Sequence, residues 1–326
     1  MVDRTRPKAR TEAPGRNVAA RRSLADLGAG LDFPATVAVA APEDVEVLRA
    51  LDEARKRYGV EVILCGDRDR IASAANEAGY DMGVDRVVAV PTDVAAAKTA
   101  VVEVREGRAD FVMKGLLPTA TLLRAVVDKE NGLVEPGRLL SHVAVFDYPA
   151  GGRMLFLTDA AMNVAPDLEA KVQILANAVL VCHALGLAEP KVAALAAVET
   201  VNPKMPATTE AACLTVMSRR GQLPRCVVDG PMALDNAVSP GAAQLKGLTG
   251  EVAGEVDILL VPSLEVGNVL YKAMAYFGGY AHAGVVVGGK VPVILTSRAD
   301  SHETKLASVA LARAICRPGG AALAAP

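Results

Sequence analysis

Residues near the carboxyl end of the chain have the types and spacing of an anion-binding site. The run Val291–Leu295 is almost entirely apolar, which predicts a strand buried on both faces, and Thr296-Ser297-Arg298 follows it directly. Asp300 and Glu303 then have the spacing of a capping box at a helix start. Backbone N–H groups point outward at such a junction, and an arginine adds donors that match a phosphate. Alternatively, Arg298 is a surface side chain and Asp300 only a cap.

Polar residues follow several other segments that have the composition of buried strands. In a parallel sheet all carboxyl ends lie at the same edge, so the side chains that follow these strands are expected to converge there. Each one taken alone is explained by capping or by a loop, but their number favours a substrate site. The polar residues at these strand ends are Lys114, Thr158, Asp159, Glu199, Asp229, Ser297 and Arg298.

Two asparagines stand near predicted helix starts. Asn163 precedes Pro166, and the pair is typical of a cap followed by the first helical turn. Asn268 opens a second helix, and Lys272 comes one turn later, where its ammonium group can reach an anion. Capping alone explains both asparagines. Alternatively, both asparagines and Lys272 contact substrate.

Other catalytic signatures are incomplete. The segment 284–290 has the glycines and the lysine of a phosphate-binding P-loop, but Val291 replaces the required Ser or Thr. Gly28-Ala29-Gly30 does not follow a strand, which argues against a dinucleotide fingerprint. The histidines never pair at metal-ligand spacing, and the Gly-x-Ser-x-Gly elbow is missing. We therefore expect no metal site.

Composition narrows the class of protein. The chain has 326 residues, of which 52% are hydrophobic and 22% charged, with a net charge of −2. These values are typical of an α/β enzyme, and the length allows two domains. Basic residues are scattered and not interleaved with aromatics, so we expect no nucleic acid partner. No apolar run is long enough to span a membrane.

The five cysteines are far apart, and no two form a Cys-x-x-Cys pair. That spacing favours free thiols in a reducing compartment over disulfides or structural zinc. We therefore expect the protein to be cytoplasmic.

The order of predicted elements indicates an α/β fold. Strands and amphipathic helices alternate from about residue 35 to residue 127, which predicts a parallel sheet with right-handed crossovers. Strands over 141–148 and 153–157 then flank Pro149-Ala150-Gly151-Gly152, a hairpin signal. Further strands are predicted at 191–197, 226–228, 257–261, 285–287 and 291–295.

These elements suggest two domains behind a basic tail. Residues 1–30 are expected to form a flexible tail, because the first 22 residues are basic and poor in apolar side chains. The first domain is expected to comprise 31–141 and 284–326, and the second 142–283. Gly278, Gly279 and Gly284 mark the expected crossing between them.

The motifs over about 110–305, taken in order, resemble those of the phosphate acetyl/butyryltransferase family, closer to the butyryl type. Any one motif is weak evidence, but the ordered set is specific. The matching motifs are Met113-Lys114-Gly115 with Thr121 and Arg124, Thr158–Pro166, Val198-Glu199, Asp229-Gly230-Pro231, Val261-Pro262, Gly267-Asn268 with Tyr271-Lys272, and Thr296–Arg298 with Asp300-Ser301.

The resemblance implies an enzyme that interconverts acyl-CoA plus phosphate with acyl phosphate plus CoA. It implies a two-domain α/β architecture similar to isocitrate and isopropylmalate dehydrogenases, a homodimer, and an active site in the interdomain cleft. Ser297 and Arg298 match the residues that hold the phosphoryl group, and Arg124 matches a further arginine of that pocket. CoA would be a substrate, with no other cofactor.

The base that removes the proton of the CoA thiol stays open. Acetyl-type relatives use an aspartate about half a dozen residues after the arginine, and here that position falls near Thr304. The nearest carboxylates are Asp300 and Glu303, and either can be only a cap. A positioned base contributes roughly 10²–10⁴-fold, so its identity matters. We expect direct transfer in a ternary complex, with the domains closing around both substrates.

Two other functions remain alternatives at this point. The first is a dehydrogenase of the same fold group that uses a nicotinamide cofactor and a divalent metal to oxidise a hydroxy acid. It would need a cluster of aspartates and an adenine-binding loop, and neither is found. The second is a catalytically silent protein that binds CoA or acyl phosphate. For the acyl group, the sequence favours butyryl and other short chains and does not predict a single chain length.

Overall fold

The computed structural model describes residues 23–27, 33–148, 150 and 152–316. Within these ranges the strands form one eleven-stranded mixed sheet, which confirms the predicted α/β class. The strands are β1 (Ala35–Ala40), β2 (Val60–Gly66), β3 (Arg86–Ala89), β4 (Phe111–Lys114), β5 (Ser141–Tyr148), β6 (Arg153–Thr158), β7 (Lys191–Leu195), β8 (Val227–Met232), β9 (Ile258–Leu260), β10 (His282–Val287) and β11 (Val293–Ile294).

Helices connect most of the strands. Their ends follow local chemistry: in the first helix the Asp44 side chain accepts the N–H of Val47, and Gly59 ends the helix with a φ of 64°. The helices are α1 (Val45–Tyr58), α2 (Arg68–Ala78), α3 (Asp93–Arg105), α4 (Thr119–Val126), α5 (Leu168–Ala184), α6 (Pro206–Arg219), α7 (Leu234–Val238), α8 (Pro240–Leu245), α9 (Leu264–Lys272) and α10 (His302–Ile315). No helix in the described ranges is long and apolar enough to cross a membrane.

The strand order is β3-β2-β1-β4-β11-β10-β5-β6-β9-β7-β8. β1 to β4, β11 and β5 run in one direction, because the pairs among β1 to β4 and β11 are parallel and β10 is antiparallel to both β11 and β5. β6 to β10 run in the opposite direction. The expectation that all polar strand ends share one edge is therefore wrong: β6, β7 and β8 point away from β4 and β11.

The register nevertheless brings β4 and β6 to a common level. Following the paired residues across the middle of the sheet, Lys114 and Leu157 lie in the same row, so the two strands end within one residue of each other. The segments after β4 and β6 thus both leave the sheet beside its middle strands. Two pairs, Gly284–Ala144 and Ala144–Leu157, lie in this row. The position of Lys114 follows from the pairs Met113–Ile294 and Val293–Val286, which lie one and two rows away.

Apolar packing differs between the two faces of the sheet. On one face a continuous core joins α1, α5 and α10 to strands from both halves. On the other face the core is divided: one cluster packs β1, β2 and β4 against α3 and α4, and a second lies around β5, β6, β7 and β9. A divided face over an undivided sheet leaves room for a cleft between the two clusters.

The sheet runs through the expected domain boundaries. The boundary at 141/142 falls at the start of β5, and the boundary at 283/284 falls inside β10. The division into two domains stays a prediction, since one face is continuous and the other divided. Of the predicted tail, residues 1–22 and 28–30 lie outside the described residues, as do 317–326. Within 23–27, Leu24 and Leu27 are buried, and the N–H of Leu24 donates to Asp147 Oδ1 at 2.8 Å.

Three predicted helix starts are wrong by a few residues. α10 is capped by Ser301, whose hydroxyl accepts the N–H of Thr304, and not by Asp300 with Glu303. α5 is capped by Asp167, so neither Asn163 nor Pro166 begins it. α9 already begins after Ser263, which puts Asn268 inside the helix. In each case neighbouring residues have equal capping ability, and tertiary packing decides among them.

Candidate active site

A cavity of about 570 Å³ lies on the divided face of the sheet. It is lined from one side by the residues after β4, by α4 and by the β11–α10 loop, and from the other by α9 and the segment after β6. Six residues named from sequence line it together: Lys114, Asn268, Lys272, Ser297, Arg298 and Asp300.

Lys114 brings a buried positive charge to the cavity. Only 5% of the residue is exposed, and its Nζ donates to the carbonyls of Gly115 at 3.1 Å and Leu117 at 3.4 Å. Burial lowers the pKa of Lys114, and the nearby charges of Arg298 and Lys305 lower it further. Among the described residues, no carboxylate forms an ion pair with Lys114. This ammonium group is therefore available to an anionic ligand.

Arg298 lies on an internally bonded loop that joins β11 to α10. The Asp300 Oδ2 accepts the N–H of Ser297 at 2.7 Å, and the Ser297 Oγ accepts the N–H of Ala299 at 3.3 Å. The Lys305 side chain is 2% exposed, and its Nζ donates to the carbonyl of Asp300. The guanidinium of Arg298 is left exposed at the cavity. Such a loop holds the donors in place before a ligand arrives.

Asp159 has a local structural task in this arrangement. Its carboxylate accepts the N–H groups of Ala161, Met162 and Asn163 at 2.9, 3.0 and 3.2 Å. The Asn163 amide donates to the carbonyl of Leu140 at 2.9 Å and to Asp159 at 2.5 Å. These bonds shape the segment 159–163, of which residues 160–162 line the cavity. Thr158 is buried, and its hydroxyl donates to the carbonyl of His142 at 2.9 Å.

Gly267 lets α9 approach this segment. A Cβ at residue 267 would lie 2.5 Å from the carbonyl oxygen of Asp159 and 2.9 Å from the Cα of Ala160. The Asn268 amide donates to the carbonyl of Ala160 at 3.3 Å, which ties the helix to the cavity wall. Lys272 lies one turn further along α9 and is exposed at the cavity.

Thr158, Asp159 and Asn163 thus lie behind the cavity wall, and three other residues named from sequence lie elsewhere. Arg124 is on another side of α4, where it lines a separate groove of about 420 Å³ with Lys98 and Asp128. Glu199 accepts from Asn236 and from Lys246 Nζ, and the hydrogen bond from Lys246 holds its pKa below the ordinary value. Glu303 points outward with a side chain 69% exposed.

Sequence reasoning missed several residues of the cavity. His142 lines it from β5, and Gly284 lines it from β10. The signal that could have found His142 is its place next to the apolar run 143–146, which puts a histidine at the start of a buried strand. Among the described residues no group of three or more His, Cys, Asp or Glu is placed to hold a metal ion.

The cavity thus offers three basic donors, Lys114, Lys272 and Arg298, beside the carboxylate of Asp300, and the chemistry points to an anionic substrate. Comparison with known proteins supports this. A family model described as "Phosphate acetyl/butaryl transferase" matches residues 87–313. The phosphate butyryltransferase of Clostridium acetobutylicum is 52% identical over 276 residues, covering 85% of this chain and 91% of the relative. The phosphate acetyltransferase of Rhizobium meliloti is 45% identical over 281 residues, covering 86% and 89%.

Solved structures agree with the sequence relatives. A branched-chain phosphotransacylase from Enterococcus faecalis V583 has a TM-score of 0.77 and 37% identity, covering 86% of this chain and 99% of that chain. A 4-hydroxythreonine-4-phosphate dehydrogenase from Klebsiella pneumoniae has a TM-score of 0.52 at 11% identity, over 86% and 99% of the chains, and is similar in fold alone. The resemblance seen in the motifs is confirmed: the chain belongs to the phosphate acetyl/butyryl transferase family, whose members are acyltransferases.

Proposed function

We propose that the cavity is where an acyl group passes between phosphate and the thiol of CoA. The observation that carries the proposal is the pair Lys114 and Arg298, which face one cavity and have no carboxylate bound to either in the part of the chain that the structure describes. The phosphoryl group of the acyl phosphate would lie between them, with Ser297 as a further donor. Charge-assisted hydrogen bonds of this kind are about twice as strong as neutral ones.

In the proposed reaction the sulfur of CoA attacks the acyl carbon directly. The S–C bond forms, the C–O bond to phosphate breaks, and the thiol proton ends on the released phosphate. Arg298 and Lys114 stabilise the charge that develops on the leaving oxygen. No group beyond the two substrates is needed, and their fixed positions in one cleft remove much of the entropic barrier.

Of the two carboxylates offered by the sequence, we favour Asp300 as the one that promotes removal of the thiol proton. Asp300 lines the cavity, and only its Oδ2 accepts the Ser297 N–H, so Oδ1 is left for other partners. Glu303 does not line the cavity, and the Ser301 hydroxyl holds its pKa below the ordinary value.

A short hydrophobic acyl chain suits the walls of the cavity. Leu117, Leu123, Met162 and Leu295 line it beside the basic residues. Burial of each methylene contributes about 0.8 kcal/mol, so such walls favour butyryl or a branched chain over acetyl. The higher identity to butyryltransferases than to acetyltransferases agrees with this preference.

The test is phosphate-dependent release of free thiol from straight-chain acyl-CoAs of two to eight carbons. We expect turnover with the highest kcat/KM near four carbons. Dependence on phosphate separates this reaction from simple thioester hydrolysis. Absence of turnover with every acyl-CoA would overturn the proposal, and a maximum at acetyl-CoA would overturn the assigned chain length.

We further propose a cytoplasmic homodimer. Support for the compartment comes from the five cysteines, all of which are free thiols. Support for association comes from the exposed apolar residues at the end of α9 and after it, where Val269 is 68%, Tyr276 68% and Phe277 94% exposed. Light scattering would measure the mass, and a monomer at micromolar concentration would contradict the dimer.

A further inference from the structure

His142 is a titratable residue of the cavity to which the proposed reaction assigns no task. It is the second residue of β5, one of the central strands, and pairs with Val286 of β10. Its side chain lines the same cavity as Lys114, Arg298 and Asp300. A histidine in the middle of a sheet is usually held by hydrogen bonds to both ring nitrogens or by one bond and solvent.

The structure leaves space for the ring of His142, but one of its two nitrogens lacks such a bond. Its Nδ1 is buried and has no hydrogen-bond partner among the described residues. Its Nε2 lies against Gly284, where a Cβ would be only 2.8 Å away, so any larger residue at 284 would displace the ring. Gly284 itself lines the cavity. Tyr271 contacts the ring edge-on, with centroids 6.0 Å apart at 77°.

The charges around His142 suit a group that alternates between neutral and protonated forms. Burial lowers the pKa of His142 from its ordinary value of 6.5, which keeps the imidazole neutral and able to accept a proton at neutral pH. The carboxylates of Asp159, in the segment after β6, and Asp300, in the β11–α10 loop, act in the other direction and stabilise the imidazolium. His282 on β10 opposes the positive charge on His142, and Tyr271 faces the His142 ring from α9.

We propose that His142 is the catalytic residue that receives the proton of the CoA thiol. This inference rests on the proposed function. The imidazole takes the proton as the sulfur attacks the acyl carbon and the C–O bond to phosphate breaks, and it then returns the proton to the released phosphate. Asp300 contributes by stabilising the imidazolium formed in between. In the reverse direction His142 takes the proton from phosphate and gives it to the CoA sulfur.

The first experiment compares His142→Gln with wild type in the synthesis of butyryl-CoA from butyryl phosphate and CoA. We expect kcat to fall roughly 10²–10⁴-fold, the range of a lost general base, while the KM for butyryl phosphate changes less than threefold. Wild-type kcat/KM should fall on the acid side, at a lower pH than an ordinary histidine would cause, because burial lowers the pKa of His142, and this limb should vanish in the variant. His183→Gln, on α5 and outside the cavity lining, is the control and should keep wild-type kcat, because the His183 ring forms its hydrogen bond with the carbonyl of Arg225, which is also outside the cavity lining.

The second experiment separates a catalytic role from a structural one. His142→Ala should regain activity when imidazole is added, with a rate that follows the concentration of neutral imidazole. A loss smaller than tenfold in His142→Gln, an unchanged low-pH limb, or a large loss without rescue by imidazole would each overturn the inference. If wild type itself lacks turnover, the proposed function fails; an active wild type with a fully active His142→Gln removes this inference alone.

Discussion

At the residue scale, Lys114 is unusual because its ammonium group is buried where little water reaches it. Within the described ranges its Nζ has two carbonyl acceptors but no bound carboxylate, and the charges of Arg298 and Lys305 act on it. Burying an ammonium group without an anionic partner is unfavourable. We therefore expect the residue to reduce stability in the free protein while it strengthens phosphate binding.

Lys114→Met should show both effects. The free energy of unfolding at neutral pH should rise by about 1 kcal/mol, because a desolvated charge is replaced by an apolar chain. The KM for phosphate should rise about tenfold, since a charge-assisted contact is lost. The pKa of Lys114 is lowered in the folded state, so wild-type stability rises with pH between that pKa and 10.5, and the difference from the variant should shrink there.

Urea unfolding at several pH values, together with phosphate kinetics, measures these two effects. Lys272→Met is the control, because Lys272 lines the same cavity but is exposed. It should weaken phosphate binding without a gain in stability. A Lys114→Met variant that is less stable than wild type at neutral pH would contradict this account.

Asp300→Asn and Glu303→Gln test the choice between the two carboxylates. We expect Asp300→Asn to lower kcat at least a hundredfold, because the imidazolium of His142 and the loop at Ser297 both lose a negative partner. Glu303→Gln should stay within twofold of wild type, since its side chain is exposed outside the cavity. The assay is thiol consumption at saturating acyl phosphate. Equal losses in both variants would contradict the assignment.

At the scale of elements, the close contact of α9 with the segment after β6 determines the width of the cavity. Gly267→Ala should push the helix away, because the new Cβ would lie 2.5 Å from the carbonyl of Asp159. We expect kcat/KM to fall 10- to 100-fold, since Asn268 and Lys272 move with the helix. Alanine has a higher helix propensity than glycine, so a loss of helix propensity cannot cause the fall in activity.

Gly241→Ala is the matched control for this substitution. It makes the same exchange inside α8, where the nearest atom to the new Cβ is the Ser239 Oγ at 3.9 Å. Activity should be unchanged. Wild-type kinetics in Gly267→Ala would show that activity does not depend on the close contact between α9 and the segment after β6.

The elements also explain which parts of the site could be predicted from sequence. Lys114 ends β4 and Arg298 follows β11, and these are neighbouring parallel strands, so the rule about strand ends was sufficient to bring the two residues together. Glu199 follows β7, which runs the other way because the hairpin of β5 and β6 reverses the chain. The hairpin was visible as a turn signal, but the position that each later strand takes in the sheet depends on long-range packing. His142 was missed because its importance comes from Gly284 and Asp300, which are distant in sequence.

At the scale of the whole molecule, the undivided sheet should make both halves unfold together. The buried thiols of Cys65 in β2 and Cys182 in α5 report on opposite halves, and both are fully buried. We expect both to become reactive at the same urea concentration, at a fixed protein concentration. Cys213 is exposed and should react at every concentration, which provides an internal reference. Two separate midpoints would instead support independent domains.

The return of the chain to the middle of the sheet has a consequence for biosynthesis. β10 and β11 fill the gap between β4 and β5, and the loop with Ser297, Arg298 and Asp300 follows them. Translation must therefore pass β11 before this loop exists. A polypeptide released before residue 297 would hold Lys114 and His142 but lack the guanidinium that we propose binds the phosphoryl group, so premature termination there should yield an inert fragment and not a poorly controlled acyltransferase.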